Sequence, residues 1–465
     1  MNTLGIVITD GVGFRNFVMS HFLGKAAQNF DQVIVYSGLP KNCYPKLTFL
    51  NVVIKELAVF EEPKSTWFFR KWKEIAHLQK FRSIDGMRDN LESGFPKNNS
   101  ARSILIKIIY FITKILHTNN SILWAEQCQF WSFSKHKTTK NYVKLLGEDL
   151  PSQLFFTHQR PPYLAPFLYA AICKKIPTNT FIFSWDNLAS KGRMLGTFDR
   201  FLVWSDLMKT ELHYFYPNVD LSQIHVVGTP QFEPYTMSDY EIKPTDFFEK
   251  FELDAHKKTI CYSCADASIG GNDTIIIQKI ADAIRQNKIN HDVQLLVRTS
   301  PAEDESRFLN LKKVYPEIIW NFPKWFSTRE NHAENWSQRI PTHEDIEDLR
   351  AMLSHVNLNI NMCSTMSLDC MLFDKPVINT VFGNLENGLY NDQRFLKYAH
   401  YKRVVDSQSV CIAKNEIELI AQINENLSNP NQKSEARKAM IATQIGKPIA
   451  GTSHRIVATL MSFYE

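Results

Sequence analysis

The stretch that decides the fold runs without a break from NLNINM (Asn357–Met362) through CSTMSLDCMLFDK (Cys363–Lys375) to PVINTVF (Pro376–Phe382). Its outer parts are short apolar runs that read as strands. The middle part enters through a Ser-Thr turn and reads as a helix, so the whole is one βα unit followed by the next parallel strand. Around it, TICYSCA (Thr259–Ala265), VQLLVRTSP (Val293–Pro301), EIIWNF (Glu317–Phe322) and YKRVVD (Tyr401–Asp406) repeat the pattern and predict a doubly wound sheet. Upstream, a second series makes another: LGIVITD (Leu4–Asp10), QVIVYSG (Gln32–Gly38), LTFLNVVI (Leu47–Ile54), QLFFTHQ (Gln153–Gln159), TFIFSWD (Thr180–Asp186), RFLVWS (Arg200–Ser205) and IHVVGTP (Ile224–Pro230).

The fold class predicted is therefore α/β, with two Rossmann-like doubly wound domains facing a central cleft. The N-terminal domain is expected over residues 1–235, with an irregular aromatic and basic insertion at about 61–142. A polar linker is expected at 236–258 and the C-terminal domain at 259–445. A last helix at 446–465, with apolar residues at Ile456, Leu460 and Phe463, is expected to cross the domain junction. Ligands in such sheets bind beyond the carboxyl ends of the strands, so the site is expected in the cleft.

Composition excludes several classes. A chain of 465 residues with 44% hydrophobic and 22% charged residues is an ordinary folded protein. Lys plus Arg (53) less Asp plus Glu (48) leaves +5, too little for a nucleic-acid partner without a concentrated basic patch. The start MNTLGIVITDGVGF has no basic n-region followed by a long apolar run, and the expected location is the cytoplasm. Eight scattered cysteines are expected as thiols there, with the lone C-x-x-C at Cys261 and Cys264 read as strand residues. No zinc-spaced His/Cys cluster and no Asp-x-Asp occurs, so neither metal nor cofactor is expected.

Ser364 and Thr365 follow a strand at the start of a helix, where amide donors and the helix dipole favour a phosphate. Asp369, one turn on, suits ribose hydroxyls. On spacing alone, Ser364 could equally be only a cap and Asp369 a solvated surface group.

The order strand, S-T-M-S-L-D, small apolar helix, F-D-K-P-V-I resembles the donor-nucleotide site of GT-B glycosyltransferases and their relatives. Those relatives include CDP-glycerol glycerophosphotransferases and lipid-A-disaccharide-synthase-like enzymes. SWDNLASKGRM (Ser184–Met194), FLVWSDLMKTEL (Phe201–Leu212), VVGTPQFE (Val226–Glu233), LLVRTSP (Leu295–Pro301) and PTHEDIEDLRAML (Pro341–Leu353) agree in order. The resemblance implies that Ser364, Thr365 and Met366 present donors to a diphosphate, that Asp369 holds the ribose, and that Arg298 meets phosphate. It also puts Thr342 and Glu344 at the nucleobase. As plain chemistry, Arg298 could instead pair with Glu303 or Asp304, and Thr342 or His343 could be an N-cap. Asp369 stands where many relatives have Glu. RTSP replaces the R-x-H-P of the phosphotransferase branch and weakens that alternative.

An inverting transferase needs a base in the first domain. Asp10, His21, His158 and Asp186 qualify by type, and Asp10 and His158 rank first. Gly11 and Gly13 beside Asp10 are expected to leave room for an acceptor, while Asp186, Gly228 and Thr229 are expected to line the cleft or mark the hinge. ARSILIKIIYFITKIL (Ala101–Leu116) is too short and too charged to span a bilayer. It reads either as a peripheral seat at the inner face of the membrane or as a helix packed on the first sheet. The reading is a metal-independent glycosyltransferase moving a sugar from a nucleotide-sugar donor to a surface-polysaccharide or lipid-linked acceptor. A polyol phosphotransferase, a nucleotide-sugar epimerase and a non-catalytic saccharide-binding or partner-binding protein are its alternatives.

Overall fold

A computed structural model gives the architecture, and residues 2–45, 49–303, 305–330, 332 and 334–463 are described. The chain forms two compact units, the first made of Met1–Glu233, Ser327–Ile340 and Gly446–Glu465. Its strands are β1 (Thr3–Ile8), β2 (Gln32–Ser37), β3 (Val52–Glu56), β4 (Gln153–Phe156), β5 (Thr178–Phe181), β6 (Arg200–Val203) and β7 (Ile224–Val226). They form one parallel sheet in the order β3-β2-β1-β4-β5-β6-β7. All residues of β1 are buried, as befits a central parallel strand covered on both faces. The chain winds outward from β1 to β3 and then returns to lay β4 on the other side of β1. That reversal opens a crevice at the carboxyl ends of β1 and β4, the usual ligand position of such sheets. The register Val7↔Phe156 puts Asp10 and His158 just past those ends.

Helices α1 (Gly11–Phe17) and α2 (Phe22–Asn29) follow β1. Phe17 and Phe22 bring them edge-to-face against one another and onto Phe155 of β4. The insertion is helical: α3 (Lys64–Lys80), α4 (Asp85–Ser93), α5 (Ala101–Thr113), α6 (Asn119–Phe133) and α7 (Lys137–Asp149). It thus runs beyond Tyr142, and α3 packs against α4, α5 and α6.

The second unit comprises Pro234–Phe326 and Pro341–Ile445. It starts with β8 (Lys258–Ser263), β9 (Val293–Arg298) and β10 (Ile319–Asn321). A two-stranded ribbon, β11 (Trp325–Ser327) and β12 (Arg339–Pro341), comes next, and its Ser327–Ile340 portion counts with the first unit. The sheet is completed by β13 (Leu358–Asn361), β14 (Val377–Thr380) and β15 (Cys411–Ala413) in the order β10-β9-β8-β13-β14-β15. Here the reversal lies between β8 and β13, so Ser364 stands beyond the crevice of this sheet as His158 does in the first.

Several expectations are corrected. Tyr401–Asp406 is no strand but lies in the helix Ala399–Asp406, and the last strand is Cys411–Ala413. Tyr401 and Val404 are buried while Lys402 points out, an i, i+3 spacing that the paired valines obscure. Residues 236–258 are no linker. They belong to the second unit and contain the helix Pro244–Lys250, whose Phe247 packs with Phe251, Leu253, Leu296 and Met352. The division falls between Glu233 and Pro234. The last helix, Thr452–Met461, belongs to the first unit and seats on its α2. Gln153 Nε2 donates to its Leu460 carbonyl at 2.8 Å. The strand expected at Leu47–Ile54 is found at Val52–Glu56, and Leu47 and Thr48 lie outside the described residues.

Candidate active site

In the first unit the two leading base candidates are partners. His158 Nδ1 lies 2.7 Å from Asp10 Oδ2, with both side chains buried. Asp10 also accepts the Thr9 hydroxyl at 2.6 Å and the Gly13 amide at 2.8 Å, the latter as N-cap of α1. Burial works against the Asp10 charge, but His158, the Thr9 hydroxyl and the Gly13 amide outweigh it and hold the carboxyl below the ordinary aspartate range. An ionised carboxylate can only accept, so Nδ1 carries the proton and Nε2 keeps a lone pair. Burial is also the largest influence on His158 and lowers its pKa, with Asp10 opposing; the ring is neutral at pH 7. Nε2 is buried without a hydrogen-bond partner among the described residues. Phe183 stacks on the ring at 4.1 Å and 19°, fixing its plane. A neutral imidazole, oriented by a carboxylate and presenting an unused lone pair, is equipped to take a proton.

Charged groups surround the dyad. Arg160 and Asp186 both bear electrostatically on His158. Glu334 has a buried Oε2 without a hydrogen bond among the described residues, and burial, with Asp10 adding to it, raises its pKa. Tyr163 donates to the Thr9 carbonyl. Thr9, Phe183, Tyr163 and Glu334 were not singled out from the sequence. Glu334 reaches this unit through the ribbon, a long-range return that leaves no local signal.

The expectation that Gly11 admits an acceptor is overturned. A Cβ on Gly11 would sit 1.5 Å from the Arg339 carbonyl oxygen, so the missing side chain admits the protein's own backbone. A Cβ on Gly13 would meet Thr157 Oγ1 at 3.0 Å. Asp186 takes the Asn187 side-chain amide at 3.1 Å and lies 3.5 Å from Lys191. Gly228 has φ +84° and faces Arg455 and Lys447, and buried Thr229 accepts the Gln231 amide. His21 is exposed at the start of α2.

In the second unit, β13 leads through Cys363, in the left-handed region at φ +44°, into the helix Met366–Leu372. Residues 363–366 are half-exposed and those following are buried. A polar network under the turn sets its shape. Asn361 Oδ1 accepts from the Ser364 amide (3.1 Å), Ser367 Oγ (3.2 Å) and Asn379 Nδ2 (3.0 Å), and the Tyr401 hydroxyl joins Ser367 and Asn379. These supports were missed, although asparagines inside a strand that should be wholly apolar are a readable anomaly. Ser364 Oγ accepts the Met366 amide at 3.2 Å, so that amide and the Ser364 amide are already engaged. The Ser364 hydroxyl keeps its own proton to give.

The other expected donor-site residues are more heavily committed. Arg298, buried, donates from Nη2 to both Asp345 oxygens at 2.9 and 3.0 Å and from Nη1 to Asn321. The cation expected at a phosphate is thus neutralised within the fold, and Glu303 pairs instead with Arg307 at 2.8 Å. Asp304 lies outside the described residues. Thr342 is the N-cap of the helix His343–His355, accepting the Asp345 amide at 3.1 Å. Glu344 pairs with Lys324 and with Lys250, contacts that lower its pKa. Asp369 is buried and accepts the Tyr235 hydroxyl at 2.5 Å, so one carboxylate oxygen is spent before any ribose arrives.

These two sheets, each with its candidate residues at its own switch point, have the fold of the GT-B superfamily. No family model matches the sequence, and no curated protein matches it. Solved structures do. The UDP co-structure of MnaA from S. aureus aligns with TM-score 0.53 and 11% identity, over 100% of this chain and 97% of that one. UDP-GlcNAc 2-epimerase from Neisseria meningitidis bound to UDP-GlcNAc aligns with TM-score 0.50 and 11% identity, over 99% and 100%. HepE of Anabaena in complex with UDP and glucose aligns with TM-score 0.51 and 10% identity, over 99% and 100%. No helix among the described residues is long and apolar enough to cross a membrane.

Proposed function

We propose that this protein is a nucleotide-sugar enzyme, and that it transfers the sugar to a saccharide or lipid-linked acceptor with His158 as the base. The observation that carries the reading is the buried Asp10–His158 pair at the switch point of the first sheet. Neutral His158 takes the acceptor hydroxyl proton at Nε2. Asp10, ionised, steadies the imidazolium that results. The diphosphate is assigned to the turn at Ser364, Thr365 and Met366, with Asp369 toward the ribose. UDP or a UDP-sugar in the structures of similar fold supports a uridine donor.

A second reading, epimerisation of the nucleotide sugar, fits at least as well on the fold comparisons. Glu334 favours it: a buried carboxyl raised toward its protonated form could return a proton that His158 removes. Incubation with UDP-sugars and candidate acceptors, followed by mass spectrometry and NMR of the products, tests both. A new glycosidic bond supports transfer and an isomerised UDP-sugar supports epimerisation. A phosphodiester, or binding without turnover, would reject both.

A further inference from the structure

We infer that α5 is a docking face for an anionic lipid bilayer, an inference that does not rest on the catalytic reading. The insertion was expected either to seat on a membrane or to pack on the first sheet. The helix does pack, but on α3, and the face it turns outward is apolar. Ile109, Tyr110 and Thr113 are buried beneath it, and the Tyr110 hydroxyl is anchored on the Leu91 carbonyl at 2.7 Å. Opposite them, Ile104, Ile108, Phe111 and Ile115 are exposed by 48%, 47%, 71% and 73%. At 100° per residue those positions fall within about 60° of one another, a continuous stripe. A surface helix ordinarily turns such a stripe to the core and its polar residues to water. Here the helix buries Ile109 and Tyr110 on one side and exposes a second apolar stripe on the other.

The charges beside the stripe identify what covers it. Lys107 and Lys114, one heptad apart, flank the same edge, and Lys97 and Arg102 lie close in sequence. From Ser93 to Ala125 there is no Asp or Glu in 33 residues. An apolar stripe with lysines along one edge, in a stretch of chain without acidic residues, fits acyl chains beneath anionic headgroups, with the lysine stems lying along the apolar surface and their ammonium groups reaching upward. A second copy seated on the same stripe would instead set lysines against lysines. Next in the chain, α6 exposes Trp124 and Trp131 by 53% and 71%, side chains suited to a headgroup boundary. With no helix among the described residues able to cross a membrane, α5 would lie in the plane of the interface.

Vesicle co-sedimentation tests this with the full chain and with two double variants, Ile108→Ser/Phe111→Ser and Lys107→Glu/Lys114→Glu. All four side chains lie on the outer part of α5, and unchanged circular dichroism and melting confirm the fold. Vesicles of phosphatidylglycerol mixed with phosphatidylcholine should bind the wild type, and phosphatidylcholine alone should bind it at least tenfold more weakly. The apolar variant should lose at least tenfold on mixed vesicles. The charge variant should lose more than tenfold, since each basic residue near an anionic surface is worth about fivefold, and should no longer respond to salt. Absence of wild-type binding, or binding that neither variant weakens, overturns the proposal. So does a dimer in gel filtration, dissociated by the apolar variant, from a protein that ignores vesicles.

Discussion

At the scale of single residues, His158 and Asp10 make separable predictions. Replacing His158 by Asn should lower turnover by about 10²- to 10⁴-fold while leaving UDP affinity within about twofold, because the proposed function gives the ring proton transfer and not the nucleotide turn. Steady-state kinetics beside calorimetry checks it, and equal losses in both would mean a structural role. The pH profile gives a second signature. The base works unprotonated and its pKa lies below the ordinary histidine value, so the rate should fall on the acid side through that lowered pKa. Asp10 opposes the lowering, so Asp10→Asn should move this limb further to acid while reducing the rate. Both residues were readable as candidates from type and position at strand ends. Their hydrogen bond was not, because it joins positions 148 apart in the chain through a strand pairing that only the fold creates. Arg298 shows the converse. A strand-end arginine suits a phosphate, and its actual partner, Asp345, was visible in the sequence but not recognised as facing it. Arg298→Ala would leave a buried carboxylate short of its cation, at a cost of about 3–5 kcal/mol, and so would report on folding before nucleotide.

At the scale of elements, helix α1 depends on a close approach. Gly11→Ala would drive a Cβ into the Arg339 carbonyl oxygen, backbone against backbone, with no flexible side chain to yield. The variant should lose about 3 kcal/mol or more, or fail to fold, whereas Gly13→Ala, meeting a movable hydroxyl at 3.0 Å, should lose less. Urea denaturation of the two variants distinguishes them, and equal stability would contradict the packing described. Most strands were legible because parallel strands buried on both faces are apolar runs bounded by Gly, Ser and Asp turns. The error at Tyr401–Asp406 came from Val404 and Val405, whose strand preference hid an i, i+3 burial pattern. The supposed linker misled in a similar way. Its Phe247 and Phe251 are four apart and bury one helical face, too short a pattern to register among polar neighbours.

At the scale of the whole molecule, pH should govern stability as well as rate. His158 and His77 are buried with folded-state pKa values below the ordinary histidine value, burial being the main cause in each. The unfolded chain therefore binds protons first as the solution is acidified. Stability contributed above about 6.5 is lost as pH falls below it, by up to ~1.4 kcal/mol per pH unit for each ring. The depressed Asp10 acts in the same direction at lower pH. Burial raises the pKa of Asp273 to about 6 and raises those of Glu334 and Asp392, which works in the opposite direction over the same range. The test is therefore a comparison, in which Tm should fall less between pH 8 and 5 for His158→Asn than for the wild type, and an equal fall in both would contradict a neutral, buried ring. The discontinuous make-up of the first unit was largely illegible beforehand. The segments Ser327–Ile340 and Gly446–Glu465 return to it from far along the chain. The apolar spacing of Ile456, Leu460 and Phe463 set the last helix apart from the second domain, but nothing local in Ser327–Ile340 records its destination.

The most direct test of the central claim, that the turn after β13 holds a nucleotide diphosphate, is a calorimetric titration with UDP of the wild type and of Ser364→Ala/Thr365→Ala. The prediction is saturable binding to the wild type and about tenfold or greater weakening in the variant, the loss expected for hydrogen bonds to a charged group. Absence of UDP binding, or a variant that binds as well as the wild type, would contradict it.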